Sequence, residues 1–146
     1  MVAQGATAPA RVLEEDHIIQ SIVYISVGAS VGAVLRWALE LMLNAVSVPV
    51  PLGTLTANLL GGYCAGLVMG VFTALPGLGP ELRLLMITGF LGGLTTFSTF
   101  TVQVGLLLQE QRIMSAMAAV ALHVCGSLAM LFLGMGTFAV LKAIFR

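Results

Sequence analysis

The chain has 146 residues, of which 59% are hydrophobic and 8% are charged, and its mean hydropathy is +1.07. Soluble domains carry about 25% charged residues, so this composition excludes an ordinary soluble domain. The formal net charge is zero, which offers no basic surface for nucleic acid. Residues 1–17 lack the basic region and short apolar core of a signal peptide, and we predict that they form a polar N-terminal leader.

Four apolar stretches lie between clusters of charged residues, at residues 18–43, 52–75, 84–108 and 113–144. Each is long enough to cross a bilayer, which takes about 20 apolar residues per helix. Residues 18–146 are therefore predicted to be one all-α, four-helix transmembrane domain. We expect a multi-pass protein of the cell inner membrane, in contact with lipid. Four short helices cannot enclose a sizeable pore, so at least a dimer is expected.

The first span repeats small and charged residues on one helix face. Gly28, Gly32, Arg36 and Glu40 recur at every fourth position. The glycines predict the close approach of another helix. Arg36 either pairs with Glu40 one turn away or extends to the membrane interface beside Trp37. In our prediction Arg36 has a structural role.

The second span combines one amide with a row of glycines. Gly62, Gly66 and Gly70 are spaced by four and predict a groove for close helix packing. Asn58 brings two donors and one acceptor into the bilayer, where they need partners. Two interpretations remain open for Asn58, a hydrogen bond to another helix or a donor directed into a polar pathway.

The third span contains the most informative segment, GGLTTFSTF, from Gly92 to Phe100. Two glycines and several hydroxyl side chains near the middle of a membrane helix predict that the helix is interrupted there. Backbone groups freed at that depth need protein or water as partners, so the break indicates a functional site. Phe97 and Phe100 share a face, and their positively polarised ring edges can attract an anion.

The fourth span places His123 and Ser127 one turn apart on one face. An ionisable group within a membrane helix is rare and needs a partner. His123 is either a neutral, hydrogen-bonded side chain or part of a proton relay. Ser127 either bonds back to its own helix or faces a polar path. No metal-ligand spacing, phosphate-binding loop or Ser-His-acid set is present in the sequence, so we do not expect an enzyme.

Three segments together resemble the Fluc fluoride channels of the CrcB family. GGLTTFSTF resembles the signature of the third helix, and the glycine–arginine pattern from Gly28 to Arg36 is similar to the first-helix motif. The stretch GTLTANLLG, from Gly53 to Gly61, resembles the family's GTLxxNxxG. The similarity covers nearly everything after residue 17. It implies a fluoride-selective channel for passive fluoride efflux, built as an antiparallel, dual-topology dimer with a broken third helix.

The resemblance also implies roles for individual residues. Phe97 and Phe100 correspond to the pore phenylalanines and Asn58 to the pore asparagine, while Ser98 and Thr99 correspond to hydroxyls that line the pore. The backbone carbonyls of two further positions would hold a structural Na⁺ at the dimer interface, and these positions are Gly92 and Thr95. In the fourth helix the family usually has tyrosine and serine four residues apart, and here that pair reads His123 and Ser127, with histidine in place of tyrosine. We therefore predict that protonation of His123 changes fluoride flux.

Three alternatives follow from the same sequence. A heterodimer with a paralogous subunit is the alternative to a homodimer. A small multidrug-type, proton-coupled exporter would need a central carboxylate in the first span, whereas Glu40 lies near its end. A membrane assembly subunit without transport activity would use the glycine-rich faces. It would leave unexplained Asn58 and the threonine, serine and phenylalanine side chains of GGLTTFSTF.

Overall fold

The structure, a computed structural model, describes the backbone of residues 8–44 and 50–145, and the side chains of residues 17–44 and 50–145. Four helical segments are long and apolar enough to cross a membrane, at His17–Leu43, Leu52–Ala74, Pro80–Gln109 and Ile113–Ile144. We call them the first to fourth spans. The prediction of an all-α protein with four spans is confirmed.

The first span belongs to a longer helix, Ala8–Leu43, so residues 8–17 of the predicted leader are helical in the backbone. Residues 1–7 of that leader lie outside the described part of the chain. The third span starts at Pro80, a few residues before the predicted boundary, because a proline at the first helical position needs no backbone N–H there.

The third and fourth spans change helix type along their length. The third span consists of Pro80–Arg83, a π-helical segment Leu84–Leu91 and a short helix Gly92–Leu94, and it resumes as Ser98–Gln109. The fourth span consists of Ile113–Ala121, a π-helical segment Leu122–Gly126 and Ser127–Ile144. Short π-helical insertions re-aim the side chains that follow them and are frequent at functional sites.

Glycines let the first and third spans touch through their backbones. A Cβ on Gly28 would lie 2.7 Å from the Phe90 nitrogen, and a Cβ on Gly32 would lie 2.7 Å from the Leu94 nitrogen. From the third span, Gly93 lies against the Ala29 backbone. The predicted close approach at Gly28 and Gly32 is thus confirmed, and it presses the first span against the residues just before Thr95.

The second and fourth spans form the other close pair. A Cβ on Gly62 would lie 2.6 Å from the Ser127 carbonyl oxygen, and one on Gly66 would lie 2.8 Å from the Met135 nitrogen. On the opposite helix, a Cβ on Gly134 would meet the Tyr63 carbonyl oxygen. The predicted glycine groove on the second span is therefore occupied by the fourth span of the same chain.

Buried side chains are few, with a group at the start of the second span, and most of the apolar surface is open. Thr54 and Leu94 are among the side chains almost completely buried. In contrast, only between 11% and 28% of the most apolar stretch of each span is buried. The remaining apolar side chains are suited to contact with lipid or with another membrane helix, because exposure to water would be unfavourable.

Candidate functional site

Helical structure stops at Leu94 and starts again at Ser98. Thr95 has an extended backbone, with φ −83° and ψ 153°. Thr96 then caps the new helix, because its Oγ1 accepts a hydrogen bond from the Thr99 backbone N–H at 3.2 Å. Threonine is favoured at the N-cap of a helix, where its side-chain oxygen accepts a hydrogen bond from the backbone N–H three residues later.

The hydroxyl of Thr96 connects the hydroxyls of this turn. Its Oγ1 lies 3.2 Å from Ser98 Oγ and donates to Thr99 Oγ1 at 3.1 Å. Ser98 is exposed and Thr99 is partly buried, so the three hydroxyls run from the surface into the protein. Thr96 was not among the site residues predicted from the sequence. The sequence signal for its capping role was the spacing of three residues between Thr96 and Thr99, which is typical of a helix cap.

Asn58 of the second span forms hydrogen bonds with the backbone of the break. Its Oδ1 accepts a hydrogen bond from the Thr96 backbone N–H at 2.8 Å, and its Nδ2 donates to the Thr96 carbonyl oxygen at 3.0 Å. The same Nδ2 lies 3.0 Å from Nδ1 of His123 on the fourth span. Of the two interpretations left open for Asn58, the structure shows the hydrogen bond to other helices.

Arg36 of the first span is hydrogen-bonded to the other side of the break. Its Nε donates to the Gly93 carbonyl oxygen at 3.2 Å, and its Nη1 lies 3.5 Å from Glu40 Oε1. Arg36 therefore pairs with Glu40 and satisfies a carbonyl that the end of the helix leaves without its usual partner.

Two backbone carbonyls at the break have no helical N–H partner, because the N–H groups that would bond to them donate elsewhere. The N–H of Thr96 would normally bond to the Gly92 carbonyl, but it donates to Asn58. The N–H of Thr99 would normally bond to the Thr95 carbonyl, but it donates to the Thr96 hydroxyl. Gly92 and Thr95 thus offer backbone oxygens for a cation, which is how unwound membrane helices coordinate Na⁺.

Three aromatic rings are in contact, in tilted arrangements, beside the break. The ring centroids of Phe97 and Phe100 are 5.5 Å apart, and those of Phe100 and His123 are 4.6 Å apart. Phe100 is 8% exposed, whereas Phe97 is 76% exposed. The two phenylalanines are in contact as their spacing predicted, but Phe97 extends away from the protein while Phe100 is enclosed.

An open cavity of about 480 Å³ collects most of the predicted site. Asn58, Phe97, Phe100, His123 and Ser127 line it, together with Gly92, Thr95 and Thr96. Ser98 and Thr99 do not line it, and they connect to it through Thr96. In the described part of the chain no group of three metal-ligating His, Cys, Asp or Glu side chains is found.

Several helical hydroxyls of the described residues bond back to their own helix, and Ser127 does not. Ser30, Thr73 and Thr137 donate to the carbonyl four residues earlier, each at 2.8 Å. No such bond is formed by Ser127 within residues 17–44 and 50–145, and it follows directly after the π-helical segment Leu122–Gly126. The Ser127 hydroxyl is therefore free to donate into the cavity that it lines.

Comparison with known proteins identifies the family. Residues 23–135 match the family described as CrcB-like protein, Camphor Resistance (CrcB). A fluoride-specific ion channel FluC from Desulfovibrio desulfuricans is 64% identical over 129 residues, which cover 88% of this chain and 100% of that protein.

Two other relatives carry the same name, fluoride-specific ion channel FluC. The protein from Pseudomonas putida is 55% identical over 121 residues, covering 83% of this chain and 95% of the relative. The protein from Burkholderia cenocepacia strain J2315 is 58% identical over 117 residues, covering 80% and 91%. These relatives are named as ion channels, which are not enzymes. The chain is thus a multi-pass membrane protein that belongs to the CrcB family.

Proposed function

We propose that this chain forms a fluoride-selective channel through which fluoride leaves the cell passively. The observation that carries the proposal is the row of donors at the break, where hydroxyls, an imidazole and phenyl edges stand together. A pore for a small, strongly hydrated anion has to replace its water with donors at close range. A pathway without cationic side chains would also bind the ion weakly enough to release it.

The charge distribution favours this function over a proton-coupled exporter. In the described spans the only carboxylates are those of Glu40, near the end of the first span, and Glu81, in the first turn of the third. Glu40 is paired with Arg36, at 3.5 Å. Neither lines the cavity around the break, so neither is placed to carry protons through it.

The assembly that we propose is an antiparallel dimer in which two copies insert with opposite orientation. Phe97 is 76% exposed at the mouth of an open cavity, and a second copy laid across this face would enclose both the ring and the hydroxyls. The proposed pathways then run along the breaks of both third spans. A paralogous subunit could supply the second half in the same geometry.

A structural Na⁺ at the centre of that dimer is part of the proposal. The carbonyl oxygens of Gly92 and Thr95 lack helical partners, and a two-fold axis would bring two such pairs together. In this chain Asn58 and Thr96 are the residues that keep those oxygens free, by capturing the N–H groups that would otherwise bond to them.

The first test is fluoride efflux from liposomes that contain the purified chain, measured with a fluoride electrode, with chloride efflux as the control. Rapid fluoride release without chloride release is expected. A folded protein that releases no fluoride, alone or with a paralogous subunit, would contradict the proposal.

A matched pair of substitutions localises the pathway. Phe97→Ile removes the exposed phenyl edge and is expected to reduce fluoride flux by about tenfold or more, as for loss of a contact to an ion. Phe132→Ile makes the same change at a residue of similar exposure, 62%, that does not line the cavity, and it should retain flux. If both variants assemble and conduct equally, the break is not the pathway, and an assembly subunit becomes the better assignment.

A further inference from the structure

The orientation of the Asn58 carboxamide is determined by the backbone that it contacts. The Thr96 N–H can only donate, so the Asn58 atom 2.8 Å away is the oxygen. The Asn58 atom 3.0 Å from the Thr96 carbonyl is accordingly the nitrogen, because a carbonyl can only accept. The side chain cannot be turned over without losing both bonds.

This orientation decides the protonation of His123. The Asn58 amide nitrogen can only donate hydrogen bonds. Nδ1 of His123, at 3.0 Å, therefore has to be the acceptor. A neutral imidazole carries one proton, and with Nδ1 as acceptor the proton resides on Nε2. Two backbone contacts on a different span thus select one tautomer of His123.

The second ring nitrogen of His123, a residue that is 5% exposed, is left without a hydrogen-bond partner in the described part of the chain. Within residues 17–44 and 50–145, Nε2 of His123 has no hydrogen-bond partner, and it is not among the fully buried polar atoms that lack one. His123 lines the cavity at the break, and Phe100 packs against its ring with centroids 4.6 Å apart. The Nε2–H is therefore a donor without a partner, on a ring that lines the cavity and packs against Phe100.

Both donors of Asn58 are occupied at the same time. One N–H serves the Thr96 carbonyl and the other serves His123 Nδ1. Asn58 has no N–H left for an anion unless one of these bonds breaks.

We propose that Asn58 is a positioning residue that acts through His123, and that the Nε2–H of His123 is the side-chain N–H donor offered to the permeating anion. The inference rests on the proposed fluoride channel, and it assigns the two residues different tasks. Asn58 keeps the break open and selects the tautomer, and His123 contacts the ion.

The test is ¹⁵N solid-state NMR of the full chain in lipid bilayers with labelled histidine rings. The chain has two histidines, and a His17→Gln variant leaves the His123 signals alone. The parent is expected to show His123 protonated on Nε2 and unprotonated on Nδ1. Replacing chloride by fluoride in the buffer should shift the Nε2 resonance. A parent signal from the Nδ1–H tautomer would overturn the inference, as would an Nε2 resonance that fluoride leaves unchanged.

Two variants with the same chemical change separate positioning from general damage. Asn58→Asp replaces the donor by an acceptor, so His123 should switch to protonation on Nδ1, and fluoride flux should fall about tenfold or more. Asn44→Asp keeps the acceptor that receives the Gly53 N–H at 2.7 Å and should change neither the tautomer nor flux. An Asn58→Asp protein that assembles but retains the parent tautomer would contradict the inference.

The two readouts distinguish this inference from the proposed function. Fluoride flux in the parent with an Nδ1–H tautomer would overturn this inference for both residues and leave the proposed channel in place. The Nε2–H tautomer in a folded parent without fluoride flux or fluoride-induced shift would overturn the channel assignment, and with it the anion contact of His123.

Discussion

At the scale of single residues, the site depends on side chains that replace helical hydrogen bonds. Asn58 takes the N–H of Thr96, and the Thr96 hydroxyl takes the N–H of Thr99. Each replacement satisfies a donor and frees a carbonyl at the same time. The N–H donors of the break are satisfied in this way, whereas the freed carbonyls still need partners, because an unpaired backbone group inside a membrane costs roughly several kcal/mol.

Thr96→Val tests the capping role of the hydroxyl. The substitution preserves the shape of the side chain but removes the acceptor for the Thr99 N–H, which should cost about 1 kcal/mol of stability. Thermal unfolding in detergent and fluoride flux should both decline. Thr101→Val is the control, because its exposed hydroxyl only bonds back to the Phe97 carbonyl at 2.8 Å. Equal effects of the two variants would remove Thr96 from the site.

Acidic pH should reduce fluoride flux through His123, between about pH 8 and about pH 5.5. Protonation adds a hydrogen to Nδ1, which then faces the Asn58 amino group at 3.0 Å, and two donors cannot share a hydrogen bond. The imidazolium would also hold fluoride more tightly than a neutral ring, which slows release. The measurement is initial fluoride efflux against pH, corrected with protein-free liposomes for leakage of hydrogen fluoride.

Within residues 17–44 and 50–145, no carboxylate forms an ion pair with His123 that would offset these effects. The titratable groups of the second span are Tyr63 and Cys64, and the fourth span adds Cys125 and the distant Lys142. In the first span Arg36 and Glu40 bond to each other. His123→Gln should make the pH profile flat, and a parent profile as flat as that of the variant would refute the prediction.

At the scale of helices, two glycine contacts position the break. The first span presses on the residues before it through Gly28 and Gly32, and the second span is packed against the fourth through Gly66 and Gly134. Backbone contact of this kind brings Asn58 and His123, on different spans, within a hydrogen bond of each other. The distances between the packed helices therefore determine the geometry of the site.

Gly134→Ala should destabilise the protein, whereas Gly136→Ala should not. A Cβ on Gly134 would meet the Tyr63 carbonyl oxygen and come within 3.0 Å of the Leu67 nitrogen. On Gly136, in the same helix, nothing lies within 4 Å of the added Cβ. Overpacking costs about 1–3 kcal/mol, while alanine in an open helical position gains up to about 1 kcal/mol. Unfolding temperatures of the two variants, with their fluoride flux, check this contrast, and equal temperatures would contradict it.

At the scale of the whole molecule, one chain leaves its site incomplete. The cavity at the break is open, and one of its aromatic rings, Phe97, is mostly exposed. Lipid against this face would leave the polar groups of Asn58, Thr96 and His123 beside hydrocarbon. The two-fold dimer that we propose would cover this face, because a self-complementary face closes on itself.

Opposite insertion of the two copies can be measured at the turn between the second and third spans. Gly77 lies in that turn, and an added side chain there meets nothing within 4 Å. In a variant with Cys64 and Cys125 replaced by alanine, Gly77→Cys should be modified by a membrane-impermeant thiol reagent in about half of the molecules, because each orientation of an antiparallel pair exposes it on one side. Complete modification, or none before the membrane is opened, would contradict dual topology.

The sequence by itself determined the class of the protein and its four spans, and it pointed to the residues of the candidate site. Hydropathy placed the spans within a few residues because a bilayer demands apolar length and little else. The third-span segment from Gly92 to Phe100 marked the site, since glycines and hydroxyls are unusual at membrane depth. The glycine spacing of the first and second spans likewise predicted where helices approach closely.

The tertiary structure decided how those residues are connected. Sequence spacing could not say that Asn58 binds the backbone of Thr96, that Arg36 bonds to the Gly93 carbonyl, or which tautomer His123 adopts. It also left open that Phe100 is buried while Phe97 is exposed. These features depend on contacts between spans that are distant in the chain. Local composition determines what a segment can form, but hydrogen-bond partners across helices exist only once the helices have packed.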